Sequence, residues 1–391
     1  MGLQGFRDRL HCEQLAAWRE RIVTVKSQTG SECDRNFLTF PRSGCSVNVE
    51  LGSACNSRLR RSQYGEGDIS PVPARFHERN LMRQLWVASL LLTVAGLTAW
   101  GICFQGVTAG EKTVEQESKP LVLHTRSRTA DKLNPSAADQ LVERTIQWDP
   151  RKTALIICDM WDNHWCQGAA RRVEELAGPM NKVIAAARQR GLLIIHAPST
   201  TVDFYKETPP RKRAQAARFA KTAAPLATVE RWGTAWCYPD PKREPDLPID
   251  DSDMGCDCAT KCEIIPPWTR QIKTIEIADE DAITDNGQET FNLLAERGID
   301  NVIIMGVHLN MCVLGRPFAI RQLVAQGKNV LLVRDMTDTM YNSRMKPFVN
   351  HFDGTDLVVA HVEKNWCPSI VSTDFVGGKP FRFADDKRPQ K

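Results

Sequence analysis

Strand-length apolar runs alternate with helical patterns from residue 151 onward, and this alternation constrains the fold more than any other feature. Each helical pattern closes on a glycine before the next apolar run, as at Gly191, Gly298 and Gly327. Strands that alternate with helices in this order pair in parallel through right-handed crossovers. We therefore predict an α/β fold over 151–375, with a doubly wound, mostly parallel six-stranded sheet and helices on both faces.

The predicted elements locate the functional edge of this sheet. Ligands of doubly wound sheets bind beyond the carboxyl ends of the strands. This rule points to Asp159, to the turn after Ile195 and to the stretch 306–312. The predicted strands span 153–159, 192–199, 272–277, 301–306, 329–335 and 356–362, and the predicted helices span 171–191, 285–298 and 311–327.

The N-terminal part of the chain has a different character. Residues 1–81 show no sustained helical or strand period, whereas 82–110 combine Arg83, an apolar stretch at 85–104 and a small-residue ending. This layout is typical of a secretory signal peptide. The apolar stretch is also long enough to span a bilayer, so an uncleaved membrane anchor is the alternative. Either way, we expect an exported domain, periplasmic or extracellular, or one that is anchored with the domain outside the cytoplasm.

The signal-like stretch suggests that translation begins at Met82 and that 1–81 is an upstream extension of the gene model. A disordered cytosolic tail on an anchored protein is the alternative, and N-terminal sequencing of the native protein distinguishes the two. We assign 82–109 to the signal or anchor, 110–150 to a linker and approach segment, and 376–391 to a tail.

A long interruption separates the second predicted strand from the third. Residues 199–270 are rich in proline and contain a basic helical patch at 211–224. A loop of this length in a compact domain is usually functional or partly folded. We predict that 199–270, called the lid segment below, forms a lid or rim over the strand ends, and that its basic patch is a solvated helix face.

Charge and cysteine content limit the partners and cofactors. The net charge of +4 over 391 residues, without a basic stripe interleaved with aromatics, argues against nucleic-acid binding. Cys256, Cys258 and Cys262 offer three thiolates, but no fourth metal ligand is evident near them in the sequence. Disulfides are more typical of an exported protein. Their partners remain open, among Cys166, Cys237 and Cys367, and we predict neither a metal nor a cofactor.

Cys312 is the first candidate catalytic residue. It lies in "GVHLNMCV" (306–313), where an apolar strand ends and a helical pattern begins. A helix N-terminus lowers the pKa of a thiol, and its free N–H groups can hold a developing oxyanion. Taken alone, a lone cysteine is more often a small buried core residue.

Asp159 is the second candidate. It follows the apolar run of the first predicted strand, in "IICDMWD" (156–162). An acid at this position can serve as a general base, although a helix cap or a salt-bridge partner is equally common there. Because Asp159 and Cys312 fall on the same edge of the predicted sheet, a shared site is favoured over two unrelated structural roles.

These motifs resemble those of the isochorismatase-like cysteine hydrolases, which include nicotinamidases and carbamoyl-amide hydrolases. "DMWDNH" (159–164) is similar to the family's Asp-Met-Gln-Asn-Asp-Phe, and "GVHLNMCV" is similar to its Gly-Val-Ala-Thr-Asn-Val-Cys-Val. The resemblance covers 153–335 and implies an Asp–Lys–Cys triad. Cys312 would attack a carbonyl, Asp159 would carry the proton to the leaving amine, and a lysine would assist.

The chain departs from the family pattern at the lysine. The corresponding stretch, 276–285, holds several acids and no lysine, and Lys273 lies at the wrong position in the motif. The nicotinamidase metal motif is not matched either, since no histidine follows Asp203 in the expected pattern. Nothing at the family's lysine locus replaces the missing charge.

Other substitutions suggest a reshaped pocket with an aromatic wall. Trp161 and His164 stand where the family has glutamine and phenylalanine. His308 replaces a small residue beside the expected oxyanion donors, where it could lower the pKa of the thiol, donate to an oxyanion or simply fill space. Asn310 and Met311 complete the predicted pocket.

The resemblance favours hydrolysis of a C–N bond, amide or carbamoyl, in a small molecule through a thioester-type intermediate. The alternative is a small-molecule binding protein on the same fold, in which loss of the lysine abolished turnover. A homo-oligomer is left open.

Overall fold

The computed structural model describes residues 119–129 and 139–389, together with the backbone of 37–39 and 48–50. The two short N-terminal strands pair antiparallel in a unit separate from Gly110–Lys391. The predicted signal or anchor at 82–109 lies outside the described residues. Within the ranges described, the structure contains no helix of the length and apolar character needed to cross a bilayer.

One eight-stranded sheet organises the main unit, in the order β4-β3-β12-β11-β10-β5-β6-β9. The strands of the described chain are β1 (Phe37–Thr39), β2 (Asn48–Glu50), β3 (Leu121–Thr129), β4 (Gln140–Trp148), β5 (Thr153–Cys158), β6 (Leu193–Ala197), β7 (Glu230–Arg231), β8 (Thr234–Ala235), β9 (Ala282–Ile283), β10 (Asn301–Val307), β11 (Asn329–Asp338) and β12 (Ser369–Ile370). From β12 to β9 every neighbouring pair is parallel, whereas β3 and β4 add an antiparallel edge. The predicted doubly wound, mostly parallel α/β fold is thus confirmed, with eight strands rather than six.

Helices cover both faces of this sheet. They are α1 (Gln167–Gln189), α2 (Pro209–Ala216), α3 (Gly287–Glu296), α4 (Cys312–Gly315), α5 (Ile320–Ala325), α6 (His351–Asn365) and α7 (Thr373–Val376). Side chains of β5 alternate between two cores: Ala154 and Ile156 pack on one face, and Leu155 and Ile157 pack on the other. The apolar side of α1 joins the second core. Both faces of the strand are therefore buried, which explains why its sequence reads as an uninterrupted apolar run.

The predicted strand 356–362 is wrong, because these residues lie within α6. Asn350 caps this helix by accepting hydrogen bonds from the N–H groups of Phe352 and Asp353, at 3.0 Å each. Buried residues then recur at helical spacing, at Thr355, Val358, Val359 and Val362. A short β-branched run cannot be distinguished from a buried helix by periodicity alone, and the longer window carries the helical signal.

The predicted strand 272–277 is also wrong. Gln271 makes only an isolated antiparallel bridge to Trp161, and the Ile272 N–H donates to the Met160 carbonyl at 2.8 Å. The chain then turns, and β9 takes the place beside β6. The apolar residues of 272–277 instead anchor a turn, with Ile275 buried in the core that contains α1.

Two strands lie where a linker was predicted. β3 and β4 pair over nine residues each and join the sheet through β12. On β3, Leu121, Leu123 and Thr125 are buried on one face, whereas β4 is largely exposed. The predicted tail also packs back, because Phe383 is buried in the core that contains α1.

The order in which successive strands are added to the sheet reverses between β5 and β10. The chain runs outward from β5 through β6 to β9, and it then returns to the other side of β5 to continue with β10, β11 and β12. The carboxyl ends of β5 and β10 therefore flank the crevice that forms at such a switch point. Asp159 follows β5 directly, and Cys312 lies five residues beyond the end of β10.

Gly306 allows these two strand ends to converge. Its φ is +116°, and a Cβ at this position would lie 2.0 Å from the carbonyl oxygen of Cys158. A side chain would force β10 away from β5 at the level of Asp159.

The Gly306→Ala variant should lower the free energy of unfolding by about 3 kcal/mol, because backbone strain and a backbone clash act together. Gly298→Ala is the matched control. Gly298 also has a positive φ, +61°, but within the described chain no neighbouring atom lies within 4 Å of the place that a Cβ would take. Only the strain of about 1 kcal/mol should remain there. Urea denaturation measures both, and equal losses would argue against the close approach.

Candidate active site

Asp159 is held rigidly at the end of β5. It is fully buried, and its Oδ1 accepts a hydrogen bond from the Ser199 N–H at 2.7 Å. Its φ of +48° is unusual for a residue other than glycine. The segment after β6 thus orients the carboxylate, which agrees with the predicted importance of the turn after Ile195.

Cys312 begins a helix, but the helix is much shorter than the predicted 311–327. α4 ends after one turn because Pro317 follows Arg316, and Arg316 adopts an extended conformation, with φ −67° and ψ 155°. The residue before a proline is disfavoured in the α region. A four-residue helix carries little macrodipole, so the expected lowering of the thiol pKa by a helix terminus needs another source of positive charge.

Arg316 supplies that positive charge. Its side chain is almost fully buried, and Nε lies 3.4 Å from Oδ2 of Asp159. The side chains of Cys312, Asp159 and Arg316 interact with one another. The structure therefore brings the two predicted residues together and adds a guanidinium in place of the lysine.

The lid segment holds the guanidinium in position. Nη1 of Arg316 donates to Oγ1 of Thr234 and to the carbonyl oxygens of Arg231 and Trp232, the latter two at 3.4 Å. The indole of Trp236 lies beside it, 5.5 Å from the guanidinium carbon to the ring centroid. The guanidinium is therefore held by the hairpin of β7 and β8 and by the residue after it.

Sequence reasoning missed Arg316, although a signal was present. Arg316 follows Cys312 by four residues, and residues so spaced share one face of a helix. The family pattern instead directed the prediction to the locus at 276–285. There the structure places Asp285, whose carboxylate interacts electrostatically with Arg316, so that locus contributes an acid. Lys273 lines a cavity whose lining residues do not include Asp159, Cys312 or Arg316.

Burial dominates the ionisation of Cys312 and Asp159 but not that of Arg316. It raises the pKa of the Cys312 thiol well above its usual range, and the Asp159 charge adds to this effect, while Arg316 opposes it. Burial also raises the pKa of Asp159, against the lowering effect of Arg316. Burial disfavours the charged form of Arg316, but Cys312 and Asp159 outweigh it and keep the arginine pKa high. The resting sulfur is therefore a thiol beside a cation.

This ionisation predicts the pH dependence of Cys312 alkylation. Because the thiolate reacts and the thiol pKa is raised, labelling by iodoacetamide should be slow at about pH 7 and rise about tenfold per pH unit. The same cysteine in urea-unfolded protein should reach a plateau above about pH 9. Peptide mass spectrometry measures both, and a plateau below about pH 8 in the folded protein would contradict the buried thiol.

Trp161 and His164 form the predicted aromatic wall, and Trp268 of the lid segment joins it. The rings of Trp161 and Trp268 stack with their centroids 4.4 Å apart. His164 stacks on Trp268 at 5.6 Å, and its Nδ1 accepts the Cys166 N–H at 3.1 Å. Burial lowers the pKa of His164 to about 4, so the wall is uncharged near neutral pH.

His308 continues this wall toward the sulfur. It is buried, its ring lies 5.0 Å from that of His164, and burial lowers its pKa well below the usual value. A neutral imidazole carries no positive charge with which to stabilise a thiolate, so that predicted role is not supported. Its Nε2 lies 4.0 Å from Oδ2 of Asp338 and has no hydrogen-bond partner among the described residues.

Asn310 and Met311 shape the turn rather than facing a ligand. The Asn310 side chain donates to Asp251 at 2.8 Å and to the Met340 carbonyl at 3.0 Å, and its Oδ1 accepts the Met340 N–H at 3.0 Å. Asn310 therefore ties the turn before Cys312 to the lid segment and to the chain after β11. The Met311 N–H donates to the His308 carbonyl at 3.0 Å, which closes the turn before α4.

Asp338 is a further buried acid at this edge that the sequence analysis did not identify. Arg172 and His351 donate to it at 2.8 and 2.9 Å, and its backbone carbonyl accepts the Leu309 N–H at 2.7 Å. Burial alone would raise its pKa, but Arg172 and His351 hold it well below the usual range. Asp338 is thus a fixed negative charge that braces the turn before Cys312. The strand predicted at 329–335 ends three residues before Asp338, so the prediction placed a different acid, Asp335, at the strand end.

The sulfur is covered in this conformation. Cys312 is 4% exposed and belongs to the same buried cluster as Trp161 and Trp236. A cavity of about 490 Å³ is lined by Trp161, Asp162, Arg270 and Lys273 among others, and Cys312 is not one of its lining residues. Access to the thiol therefore requires the covering side chains to move.

Comparison with solved structures identifies similar chains. A cysteine hydrolase from Pseudomonas syringae pv. phaseolicola is 15% identical, with 59% of this chain and 93% of that chain covered and a TM-score of 0.36. An isochorismatase from Pseudomonas putida is 13% identical, covering 58% and 91%, with a TM-score of 0.35. N-carbamoylsarcosine amidase from Thermoplasma acidophilum is 14% identical, covering 56% and 96%, with a TM-score of 0.29.

These structures include members of the family that the sequence motifs resemble. No protein-family model matches the chain, and no curated protein matches it.

Proposed function

We propose that this chain is a cysteine-dependent hydrolase that cleaves an amide or carbamoyl C–N bond of a small molecule. The observation that carries the proposal is the grouping of a thiol, a carboxylate and a guanidinium at the switch point of the sheet. The thiol and the carboxylate come from separate strand ends, and the guanidinium follows the thiol by one helical turn. A nucleophile with an adjacent base and an orienting third group is the arrangement that covalent catalysis requires.

The chemistry follows from the positions of the three groups. Sγ of Cys312 attacks the carbonyl carbon while its proton passes to the carboxylate of Asp159. Asp159 then returns this proton to the leaving nitrogen, the C–N bond breaks, and a thioester remains on Cys312. Water attacks the thioester, Asp159 accepts its proton, and the carbon–sulfur bond breaks. The thiol regains its proton from Asp159, so the enzyme is restored.

Arg316 acts through charge and position. A guanidinium stays protonated throughout the accessible pH range, so it donates hydrogen bonds but does not shuttle the proton. It opposes the burial penalty on the charged forms of both Asp159 and Cys312. It supplies a positive charge of the kind whose absence motivated the alternative of an inactive fold.

The wall of the site favours a small substrate with a planar or apolar part. Trp161, Trp268 and His164 form a stacked aromatic surface. Nε2 of neutral His308, 4.0 Å from Oδ2 of Asp338, has no hydrogen-bond partner among the described residues. A buried polar atom of this kind gains a hydrogen bond when a substrate oxygen or nitrogen reaches it. We infer that the site recognises a neutral amide or carbamoyl group of the substrate.

A panel of small primary amides and carbamoyl compounds tests this proposal. The purified full-length chain should release ammonia from at least one member, and intact-mass analysis after rapid acid quench should show an acyl adduct on Cys312. Specific binding of panel members without ammonia release or an adduct would favour the second candidate, a non-catalytic binding protein. The burial of the sulfur is the observation that supports that candidate.

The location is a separate proposal, supported by the sequence of 82–110. We expect the domain outside the cytoplasm, either released or anchored by 85–104. A homo-oligomer likewise stays a prediction.

A further inference from the structure

Four cysteine sulfurs converge beside the candidate active site. They belong to Cys166, Cys256, Cys258 and Cys262, and all four lie within 4.8 Å of one another. The last three form the Cys-x-Cys-x-x-x-Cys sequence, for which no fourth ligand was evident. The fold supplies that fourth sulfur from a position 90 residues earlier than Cys256, at the start of α1.

The spacing of the sulfurs matches a tetrahedral thiolate site. Four thiolates about 2.3 Å from a zinc ion form a tetrahedron with edges of about 3.8 Å. The Cys166 and Cys258 sulfurs are 3.8 Å apart. A disulfide would hold one pair at about 2.05 Å, and nothing about disulfide formation requires the two pairs to converge on a single point.

The surrounding backbone supports negative sulfur atoms. The Gly168 N–H donates to Sγ of Cys258 at 3.3 Å, and Cys166 is the N-cap of the 23-residue helix α1. A long helix favours negative charge at its N-terminus. Residues 255–262, which carry three of the four cysteines, are called the ligand loop below. Arg344 donates to the carbonyl oxygens of Cys256 and Cys258, at 3.4 and 3.0 Å, which brings a positive charge to this loop.

The ligand loop is also fixed independently of the sulfurs. Gly255 has a φ of +69°, and a Cβ there would lie 2.2 Å from the backbone of Met340. Asp257 accepts hydrogen bonds from the N–H and the hydroxyl of Ser343, at 3.1 and 2.8 Å. The loop therefore holds its cysteines in place before any ion binds, as a selective site requires.

We propose that Cys166, Cys256, Cys258 and Cys262 form a structural site for one tetrahedral zinc ion. All four coordination positions are filled by protein sulfur, so the ion does not activate water or substrate. Its role is to join the ligand loop of the lid segment to the start of α1. Because His164 and Trp165 immediately precede Cys166, the ion would also fix the aromatic wall.

Elemental analysis of the full-length chain, purified without chelator and under anaerobic conditions, tests the site. We expect about one zinc per chain. Replacement by Co²⁺ should give the visible bands of tetrahedral cobalt and the thiolate-to-cobalt charge-transfer absorption of four sulfur ligands. This spectrum is read on the unmodified protein, so it does not depend on whether a variant folds or on any activity.

Cys258→Ser should abolish the stoichiometric zinc, whereas Cys237→Ser is the matched control and should leave it unchanged. Peptide mapping without reduction would detect a competing disulfide. A disulfide among the four cysteines in zinc-free protein, or a cobalt spectrum with no thiolate ligation, would overturn the proposal. Zinc retained in full by Cys258→Ser would do the same.

Discussion

The Cys312→Ala variant is expected to lose hydrolysis of the best substrate of the amide panel by about four orders of magnitude or more. The reason is that alanine leaves no atom to form the carbon–sulfur bond, while Asp159 and Arg316 remain in place. Removal of a nucleophile from a comparable catalytic group has effects of this size. Initial rates of ammonia release measure the loss, and intact-mass analysis should show no acyl adduct.

Cys367→Ala provides the matched control for this experiment. Cys367 is also buried in the core, 5% exposed, but it follows α6 and contributes nothing to the proposed triad. Its variant should retain activity within a few-fold of the unmodified chain once stability is accounted for. Hydrolysis by Cys312→Ala at more than a tenth of the normal rate would exclude Cys312 as the nucleophile.

The Arg316→Gln variant should lose both activity and stability. Without the guanidinium, the buried Asp159 carboxylate has no counter-charge, and breaking such a pair costs about 3 kcal/mol. We expect kcat/KM to fall by about 100-fold or more, the size of the effect when one preorganised charge-stabilising group is removed. Urea denaturation and initial rates measure the two effects separately.

Two further variants separate charge from packing at this position. Arg316→Lys keeps the charge but loses the forked contacts to Thr234 and to the hairpin carbonyls, so it should fall between the unmodified chain and Arg316→Gln. The double variant Asp159→Asn with Arg316→Gln should regain stability, because no charge is left unpaired, and should remain inactive. Full activity in Arg316→Gln would show that the arginine is only structural.

Prediction of the fold from sequence succeeded where the chain is buried on both sides. The runs that became β5, β6, β10 and β11 are continuous and apolar because two cores cover them, and such runs are hard to mistake. β3 and β4 were missed because they form an antiparallel edge with one exposed face, and their polar residues resemble a linker. β9 and β12 are two residues long, too short to leave a pattern.

The residues of the candidate site were likewise predicted only in part. Asp159 and Cys312 could be located because each follows a strand whose neighbour in the sheet is fixed by the alternation. Arg316 was missed because the prediction took the cation's place from a family motif rather than from helical spacing. The fourth cysteine of the sulfur cluster, Cys166, could not be found from sequence, because only the packing of α1 against the lid segment brings it there.

The hairpin of β7 and β8 links access to the Cys312 sulfur with the positioning of the Arg316 guanidinium. Thr234 and two backbone carbonyls of this hairpin hold the Arg316 guanidinium, and the same hairpin precedes Trp236 in the cover over the sulfur. Any displacement of the hairpin that admits a substrate therefore also releases the guanidinium from its seat. An open site would therefore hold the guanidinium by fewer contacts, and the full set would be restored only when the hairpin returns over a bound molecule.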